Sequence, residues 1–209
     1  KVQPPFYPEG DKICDGIILH TAGGVIGGDR LSLEIHLQPH SQVLITTQRK
    51  SDLSHKGLKA RQSKNIQIES GACSEYLPQE TIVFEGVVYR QDLRVELGTQ
   101  ANFLGWEITR LGRTARGENF FFTGRNTLAH GNMAKSLTIR IDRQIIPGNE
   151  QIFHSPHSLG ENPVIGTLVF IGSPISQEII EQARSLIIQP MFSGVTVLEY
   201  GLLCRYCGN

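Results

Sequence analysis

The glycine-rich segment from His20 to Arg30 is the first place in the sequence whose residue types could bind a ligand. Its glycines are Gly23, Gly24, Gly27 and Gly28, and their spacing matches the frame of a phosphate-binding P-loop. That loop needs Lys followed by Ser or Thr, whereas Asp29 and Arg30 stand there, and a carboxylate would repel phosphate. The segment also precedes a predicted strand, so no helix N-terminus adds its dipole. We therefore predict a structural turn that needs positive φ or close approach of the backbone, in which Asp29 and Arg30 pair or bond to loop amides.

Two histidines and two cysteines form the other short constellations. His154 and His157 are three residues apart and could share a metal ion, but Pro156 between them favours a surface loop. No Glu stands where a zinc hydrolase helix needs its base. Cys204 and Cys207 form one C-x-x-C pair, which is half of a tetrahedral zinc site, so redox chemistry or intermolecular metal binding is the less favoured alternative for them.

Carboxylates embedded in apolar segments are the remaining chemical feature, and no G-x-S-x-G nucleophile motif is present. Such acids usually form structural ion pairs, and arginines lie close to them in the sequence. Several acids converging on one cavity could instead pass a divalent cation. The acids are Glu75, Glu80, Glu107 and Glu118, and the neighbouring arginines are Arg110, Arg113 and Arg116.

Short strands are predicted to position these residues. Apolar and polar residues alternate from Leu31 to Leu37, and more apolar runs, among them Val164–Ile171, recur between turn residues along the chain. One helix is predicted after Ser176 as its N-cap, ending before Pro190. The basic stretch Arg49–Lys64 has no apolar periodicity and is predicted to be a solvated, mobile loop. We expect a mainly β fold, an irregular all-β solenoid or sandwich with one or two short helices.

Composition excludes several function classes. The 209 residues carry 20 Lys plus Arg and 20 Asp plus Glu, so neither nucleic acid nor a membrane surface is an expected partner. No apolar run is long enough to span a bilayer. Four cysteines are too few for a disulfide framework, which favours a cytoplasmic protein. We expect one domain over residues 1–209, lacking terminal segments because the chain begins at Lys1 and not at Met.

Four blocks of sequence resemble the urease accessory protein UreD family, called UreH in some bacteria, and they occur in the family's order. The blocks are Leu19–Leu31 (LHTAGGVIGGDRL), Leu44–Gln48 (LITTQ), Glu75–Phe84 (EYLPQETIVF) and Gly105–Glu118 (GWEITRLGRTARGE). The resemblance implies a helix-poor all-β scaffold and not an enzyme. It implies binding to apo-urease and recruitment of UreF and, through UreF, of the GTPase UreG, after which nickel enters the urease active site.

No stably bound cofactor is expected under this interpretation, because nickel is handled transiently and GTP is used by the partner. The expected nickel-path residues are Asp29, Glu75, Glu107 and Glu118, since oxygen ligands release nickel more readily than a His or Cys cage would. The alternative is that these acids only pair with Arg30, Arg110, Arg113 or Arg116 and hold the fold. A second alternative is a metal-dependent enzyme or small-ligand-binding β protein that uses His154 and His157 or the glycine-rich loop.

Overall fold

The computed structural model describes residues 1–20, 22, 24–47, 50–52, 58–84, 86–113, 125–133, 140–147, 149–187 and 192–209. Within these residues, fourteen strands and two short helices follow one another along the chain. They are β1 (Ile13–Ile18), β2 (Arg30–Leu37), β3 (Gln42–Thr47), β4 (Lys50–Asp52), β5 (Lys59–Ile68), β6 (Cys73–Tyr76), β7 (Thr81–Val83), β8 (Val88–Leu97), β9 (Asn102–Leu111), β10 (Arg125–Met133), β11 (Arg140–Pro147), α1 (Glu150–His154), β12 (Val164–Ile171), α2 (Gln177–Ser185), β13 (Ser193–Leu198) and β14 (Gly201–Gly208).

The described strands form two sheets, one of nine strands and one of five. The nine-stranded sheet runs β1-β3-β6-β9-β12-β14-β13, with β4 and β7 attached beside β9, and the five-stranded sheet runs β11-β10-β8-β5-β2. From β2 to β9 the chain alternates between the sheets, and β2, β5 and β8 pair in parallel, as do β3, β6 and β9. This winding combines solenoid and sandwich features, and it confirms the prediction of a mainly β fold with short helices.

Alternating apolar side chains account for the packing of the two sheets. In β2 every second residue from Leu31 to Leu37 turns inward, as the sequence predicts, and β12 spans the predicted run Val164–Ile171. We define the first apolar cluster as the buried residues Leu37, Ile45, Ile66, Ile68, Ala72, Tyr76, Val95, Ala101, Phe103 and Ile171. The second apolar cluster comprises Val25, Ala60, Val83, Phe84, Val87, Tyr89, Leu111, Ile146 and Leu159.

A layer of buried polar residues separates the two apolar clusters. Along β5 the inward side chains run from Ala60 in the second cluster through Gln62 and Lys64 to Ile66 in the first. At the same level of the interior, β8 contributes Gln91, and β9 contributes Glu107 and Thr109. We call these five residues, Gln62, Lys64, Gln91, Glu107 and Thr109, the polar layer; each is at most 7% exposed.

The predicted solvated loop over Arg49–Lys64 is wrong in its described part. Lys50–Asp52 forms β4, and β5 begins at Lys59. Ala60, Gln62 and Lys64 are buried, whereas Arg61 between them reaches Asp92 on the outer face. The sequence pattern did not indicate this strand, because its buried face carries a lysine and the apolar alternation is interrupted there. Residues 53–57 of this stretch lie outside the described residues.

The helix predicted after Ser176 is present as α2, and the Ser176 hydroxyl accepts a hydrogen bond from the Ile179 backbone N–H. The sequence analysis did not predict where the other helix, α1, would lie. Asn149 caps it by accepting from the Ile152 backbone N–H. His154, which we predicted to lie in a loop, is the last residue of α1, and His157 follows in the turn beyond it. No helix in the described part of the chain is long and apolar enough to span a bilayer.

Candidate functional site

An ion pair lies at the centre of the polar layer and joins the two sheets. Lys64 on β5 and Glu107 on β9 are separated by 43 residues in the sequence, and Lys64 Nζ donates to Glu107 Oε1 at 2.6 Å. Gln91 on β8 donates through Nε2 to the same oxygen at 2.5 Å. Both charged side chains are more than nine-tenths buried. Such a pair persists in the interior only because each charge finds its partner there.

The charge state of Lys64 follows from two opposing effects. Burial alone lowers the pKa of the ammonium, but the attraction of Glu107 and, to a lesser extent, of Tyr76 outweighs it, so the pKa of Lys64 is raised. Lys64 is therefore protonated at neutral pH. Its Nζ also lies 5.6 Å from the centroid of the Tyr76 ring, within the range of a cation–π contact.

Further hydrogen bonds extend the polar layer towards the second apolar cluster. The Tyr89 hydroxyl lies 2.8 Å from Gln62 Oε1 and 2.9 Å from Gln91 Oε1. Because it has a single proton, it donates a hydrogen bond to only one of these oxygens at a time. Gln91 thus links Tyr89 to Glu107. Two other buried oxygens, Ser74 Oγ and the Tyr76 hydroxyl, have no hydrogen-bond partner among the described residues. The interior is polar over a continuous stretch between the sheets, and it can hold water or an ion more readily than an apolar core can.

The structure brings only one of the predicted nickel-path carboxylates into this layer. Glu107 faces inward, but Glu75 alternates with the buried residues Ser74 and Tyr76 on β6 and faces outward. Asp29 lies in an exposed turn, and Glu118 falls outside the described residues. The three described acids therefore do not converge. Glu107 pairs with Lys64, which the sequence analysis did not consider as its partner because it predicted a loop where β5 lies.

Sequence reasoning did not identify four residues of this site, which are Lys64, Gln62, Gln91 and Tyr89. Lys64 falls within the loop that the sequence predicts. A usable signal exists, since Ala60, Gln62, Lys64, Ile66 and Ile68 occupy alternate positions and the last two are plainly apolar. Extending that alternation backwards would have placed the glutamine and the lysine on the buried face.

The glycine-rich segment forms a tight turn in its described part. Gly28 has φ of +99°, which favours glycine, and β2 begins two residues later at Arg30. Asp29 Oδ2 accepts a hydrogen bond from the Ile26 backbone N–H at 2.9 Å, while the Asp29 N–H donates to the Ile26 carbonyl. The Asp29 carboxylate thus bonds to a loop amide that a phosphate would need. Gly24 and Gly27 are described as part of this turn, and Gly23 lies outside the described residues.

The histidine and cysteine pairs do not form metal sites in the described residues, where no group of three or more His, Cys, Asp or Glu could hold an ion. His154 Nδ1 lies 2.8 Å from Glu161 Oε1, and His157 borders a separate cleft of about 830 Å³. Cys204 and Cys207 lie three residues apart on β14 and so project to opposite faces. Cys207 packs inward on the second apolar cluster, and Cys204 lines the outer face. Burial raises the pKa of both thiols.

The outer faces of the two sheets differ in character. The nine-stranded sheet carries an apolar groove of about 280 Å³, which we call the outer groove. It is lined by Trp106, Ile108, Val164, Gly166, Thr167, Leu168, Cys204, Arg205 and Tyr206. The five-stranded sheet instead presents ion pairs and polar contacts, among them Arg61 with Asp92 and Asn65 with Glu34. The two faces are therefore suited to different neighbours, water for the five-stranded sheet and apolar protein surface for the nine-stranded one.

Comparisons with known proteins assign the chain to a family. The family model described as UreD urease accessory protein matches residues 1–209. A urease accessory protein UreD from Nostoc sp. is 58% identical over 209 residues, covering all of this chain and 75% of the relative. The protein of the same name from Nostoc punctiforme is 53% identical over 210 residues, with the same coverage. That from Synechocystis sp. is 36% identical over 219 residues, covering all of this chain and 79% of the relative. The chain belongs to the UreD family of urease accessory proteins, and its role lies in urease maturation.

Proposed function

We propose that this protein is a non-catalytic, cytoplasmic scaffold of urease maturation. It binds apo-urease and recruits UreF and, through UreF, the GTPase UreG, so that nickel can be inserted into the urease active site. Family membership supports the maturation role, and the outer groove is the observation that carries the scaffold function. A scaffold needs surface that partners can cover, and this sheet face offers it.

The outer groove supports partner binding through its composition and exposure. Ile108 is 36% exposed and Tyr206 is 44% exposed, and both border the groove. Exposed apolar surface of this kind is a mark of protein–protein contact, and aromatic side chains such as Trp106 often anchor it. The opposite, five-stranded face carries ion pairs such as Arg61 with Asp92, and the hollow described there, of about 110 Å³, is lined mainly by polar side chains.

GTP hydrolysis is assigned to the partner under this proposal. The glycine-rich turn has P-loop-like spacing, and Asp29 stands where the lysine of such a loop would stand. Its carboxylate also engages the Ile26 amide. This arrangement supports a structural turn and gives no reason to expect a nucleotide.

Nickel is proposed to pass the interior at Glu107 without being stored. A single carboxylate among amide and hydroxyl oxygens is a weak site for nickel, which prefers imidazole and thiolate ligands. Weak binding suits transfer, because a conduit must release its cargo. Asp29, Glu75 and Glu118 remain proposed contacts along the route to and from this position.

A co-purification experiment with matched charge substitutions tests the scaffold function. Ile108→Lys places a charge in the outer groove, and Gln67→Lys places the same charge at an exposed position of β5 on the five-stranded face. We expect tagged wild-type protein and Gln67→Lys to retain UreF and apo-urease, and Ile108→Lys to lose at least one of them. Equal retention of both partners by the two variants would contradict the use of this face.

The cleft beside His157 favours a second candidate, a small-ligand-binding protein or a metal-dependent enzyme. Its volume of about 830 Å³ is within the range of ligand sites, and Arg205 and Cys207 also border it. Under this candidate the isolated protein would bind a small molecule, and a His154→Ala/His157→Ala variant would lose that binding. The scaffold proposal expects the double variant to retain UreF and apo-urease.

A further inference from the structure

The outer edge of β2 is a feature of the fold that the proposed function does not use. β2 lies at the end of the five-stranded sheet and pairs only with β5 among the described residues. The carbonyls of Asp29 and Leu37 accept hydrogen bonds from β5 or the residues flanking it. Because main-chain groups alternate in direction along a strand, those of the even-numbered residues between them point away from the sheet. Such an edge is a template on which another strand can pair.

This edge carries an excess of positive charge. In register, Arg30 lies beside Arg61 on β5, which in turn lies beside Arg90 on β8. Asp92 forms ion pairs with both Arg61 and Arg90. Three guanidinium groups are therefore close to one carboxylate, and Arg30 has no acidic partner in the described part of the chain. A carboxylate supplied from beyond the edge would relieve this repulsion.

The same edge carries a carboxylate that lacks a cation. Glu34 is exposed on the outer face of β2, and its Oε1 accepts hydrogen bonds from two neutral groups, the Ser32 hydroxyl at 3.1 Å and the Asn65 amide at 2.8 Å. No cationic side chain pairs with Glu34 among the residues that the structure describes. Four residues of extended strand separate Glu34 from Arg30 by about 13 Å, so the two do not pair within one copy.

A second copy of β2, antiparallel to the first and related to it by a two-fold axis, would satisfy both groups. When Ser32 lies opposite the partner subunit's Ser32, Arg30 lies opposite the partner subunit's Glu34, and Glu34 lies opposite the partner subunit's Arg30. These even-numbered residues are the ones whose main-chain groups point outward, so each opposed pair exchanges two main-chain hydrogen bonds. Their Cα atoms would lie about 5.5 Å apart, which allows each arginine to reach a glutamate.

Charge selects this register over its neighbours. A shift of two residues separates both arginine–glutamate pairs, and a shift of four residues places either two copies of Arg30 or two copies of Glu34 opposite each other. A shift of one residue would turn the apolar face of the second strand outward. In the selected register Leu31 lies opposite the partner subunit's Leu33 on the inner face. Both leucines are only half-buried in one copy, so the pairing also covers apolar surface.

We propose that two copies of this chain pair through β2 as antiparallel strands about a two-fold axis at Ser32, with an Arg30–Glu34 ion pair on each side of the axis. The inference goes beyond the proposed function and does not depend on it, because the outer groove lies on the other sheet. Both grooves stay open in the dimer. A scaffold built in this way presents two partner-binding faces at a fixed spacing.

Sedimentation equilibrium of the full chain tests the pairing by charge reversal. We expect wild type to dimerise, and Arg30→Glu and Glu34→Arg each to raise the dimer dissociation constant at least tenfold, because each change opposes like charges on both sides of the axis. An equimolar mixture of the two variants should dimerise again, since every glutamate then lies opposite an arginine. Gln67→Glu, an exposed change on β5, should dimerise as wild type does. A wild type that is monomeric at its highest soluble concentration, or a mixture that stays monomeric, would overturn the proposal.

Cross-linking with a short bismaleimide tests the register. Ser32 lies opposite its own copy, whereas His36 lies opposite the partner subunit's Gly28, eight residues or about 27 Å from the partner subunit's His36. Ser32→Cys should therefore form a cross-linked dimer, and His36→Cys should cross-link no more than wild type with its native cysteines. Equal yields from the two variants would contradict the register. Ile108→Lys should dimerise as wild type does, so failure of the scaffold function and failure of the β2 pairing are distinguishable.

Discussion

Removing one member of the buried Lys64–Glu107 pair should destabilise the fold much more than removing both. Lys64→Met leaves the carboxylate in the interior with the Gln91 amide as a donor but without its counter-ion. Glu107→Leu leaves a buried ammonium near the Tyr76 ring but without its counter-ion. Each single change therefore creates an uncompensated charge between the two apolar clusters.

The expected magnitudes follow from the burial of both groups. Breaking a buried pair by removing one partner costs about 3–5 kcal/mol, whereas replacing both with apolar residues of similar volume is often neutral or stabilising. We therefore expect each single variant to lose about 3–5 kcal/mol of unfolding free energy. For a chain of this size, that loss corresponds to a fall in melting temperature of roughly 6–20 °C. Lys64→Met/Glu107→Leu should lie within about 1–2 kcal/mol of wild type.

Urea unfolding followed by circular dichroism, carried out as a double-mutant cycle, measures the coupling. Because the pKa of Lys64 is raised on folding, its contribution to stability is complete below the unfolded pKa of about 10.4. That contribution is lost only as the pH rises through the still higher folded value. The cycle should therefore give the same coupling at pH 7 and at pH 8. Additive single effects below about 1 kcal/mol each would refute the reasoning, since they would mean that water reaches the pair.

Four further predictions concern segments outside the polar layer. Gly28→Val should lower the unfolding free energy by about 1–3 kcal/mol, because a β-branched residue is strained at φ of +99°, and an unchanged urea midpoint would contradict this. The protein should bind neither GTP nor ATP, because Asp29 occupies the P-loop lysine position and bonds to Ile26, and micromolar binding of Mg-GTP in a calorimeter would disprove it. Cys204 and Cys207 should react with a maleimide at pH 7 more slowly than an exposed thiol does, because burial raises their pKa and little thiolate is present. The same pair should form no disulfide in the folded protein, and mass spectrometry after mild oxidation checks this.

Local sequence patterns were sufficient to predict most of the strands and the larger helix. The alternation from Leu31 to Leu37, the apolar run Val164–Ile171 and the Ser176 cap each depend on residues that are close together in the chain. The positive φ at Gly28 follows likewise from a tight glycine-rich turn. Local periodicity and turn chemistry decide such features, so they can be read without knowing which strands will become neighbours.

The polar layer could not be predicted in the same way. A lysine amid other basic residues looks solvated, and nothing near Lys64 in the sequence indicates that a carboxylate 43 residues away will meet it. Only the winding of the chain between two sheets brings β5 opposite β9 and closes that ion pair inside the protein. The register of the strands also decides that Glu75 faces outward and Glu107 faces inward. In the same way, it places Cys204 and Cys207 on opposite faces of their sheet. Local pattern and composition were enough to predict the β-rich fold, the glycine-rich turn and the family resemblance. Which charges are buried together was decided by tertiary structure alone, because burial of a charge depends on contacts between strands far apart in the chain.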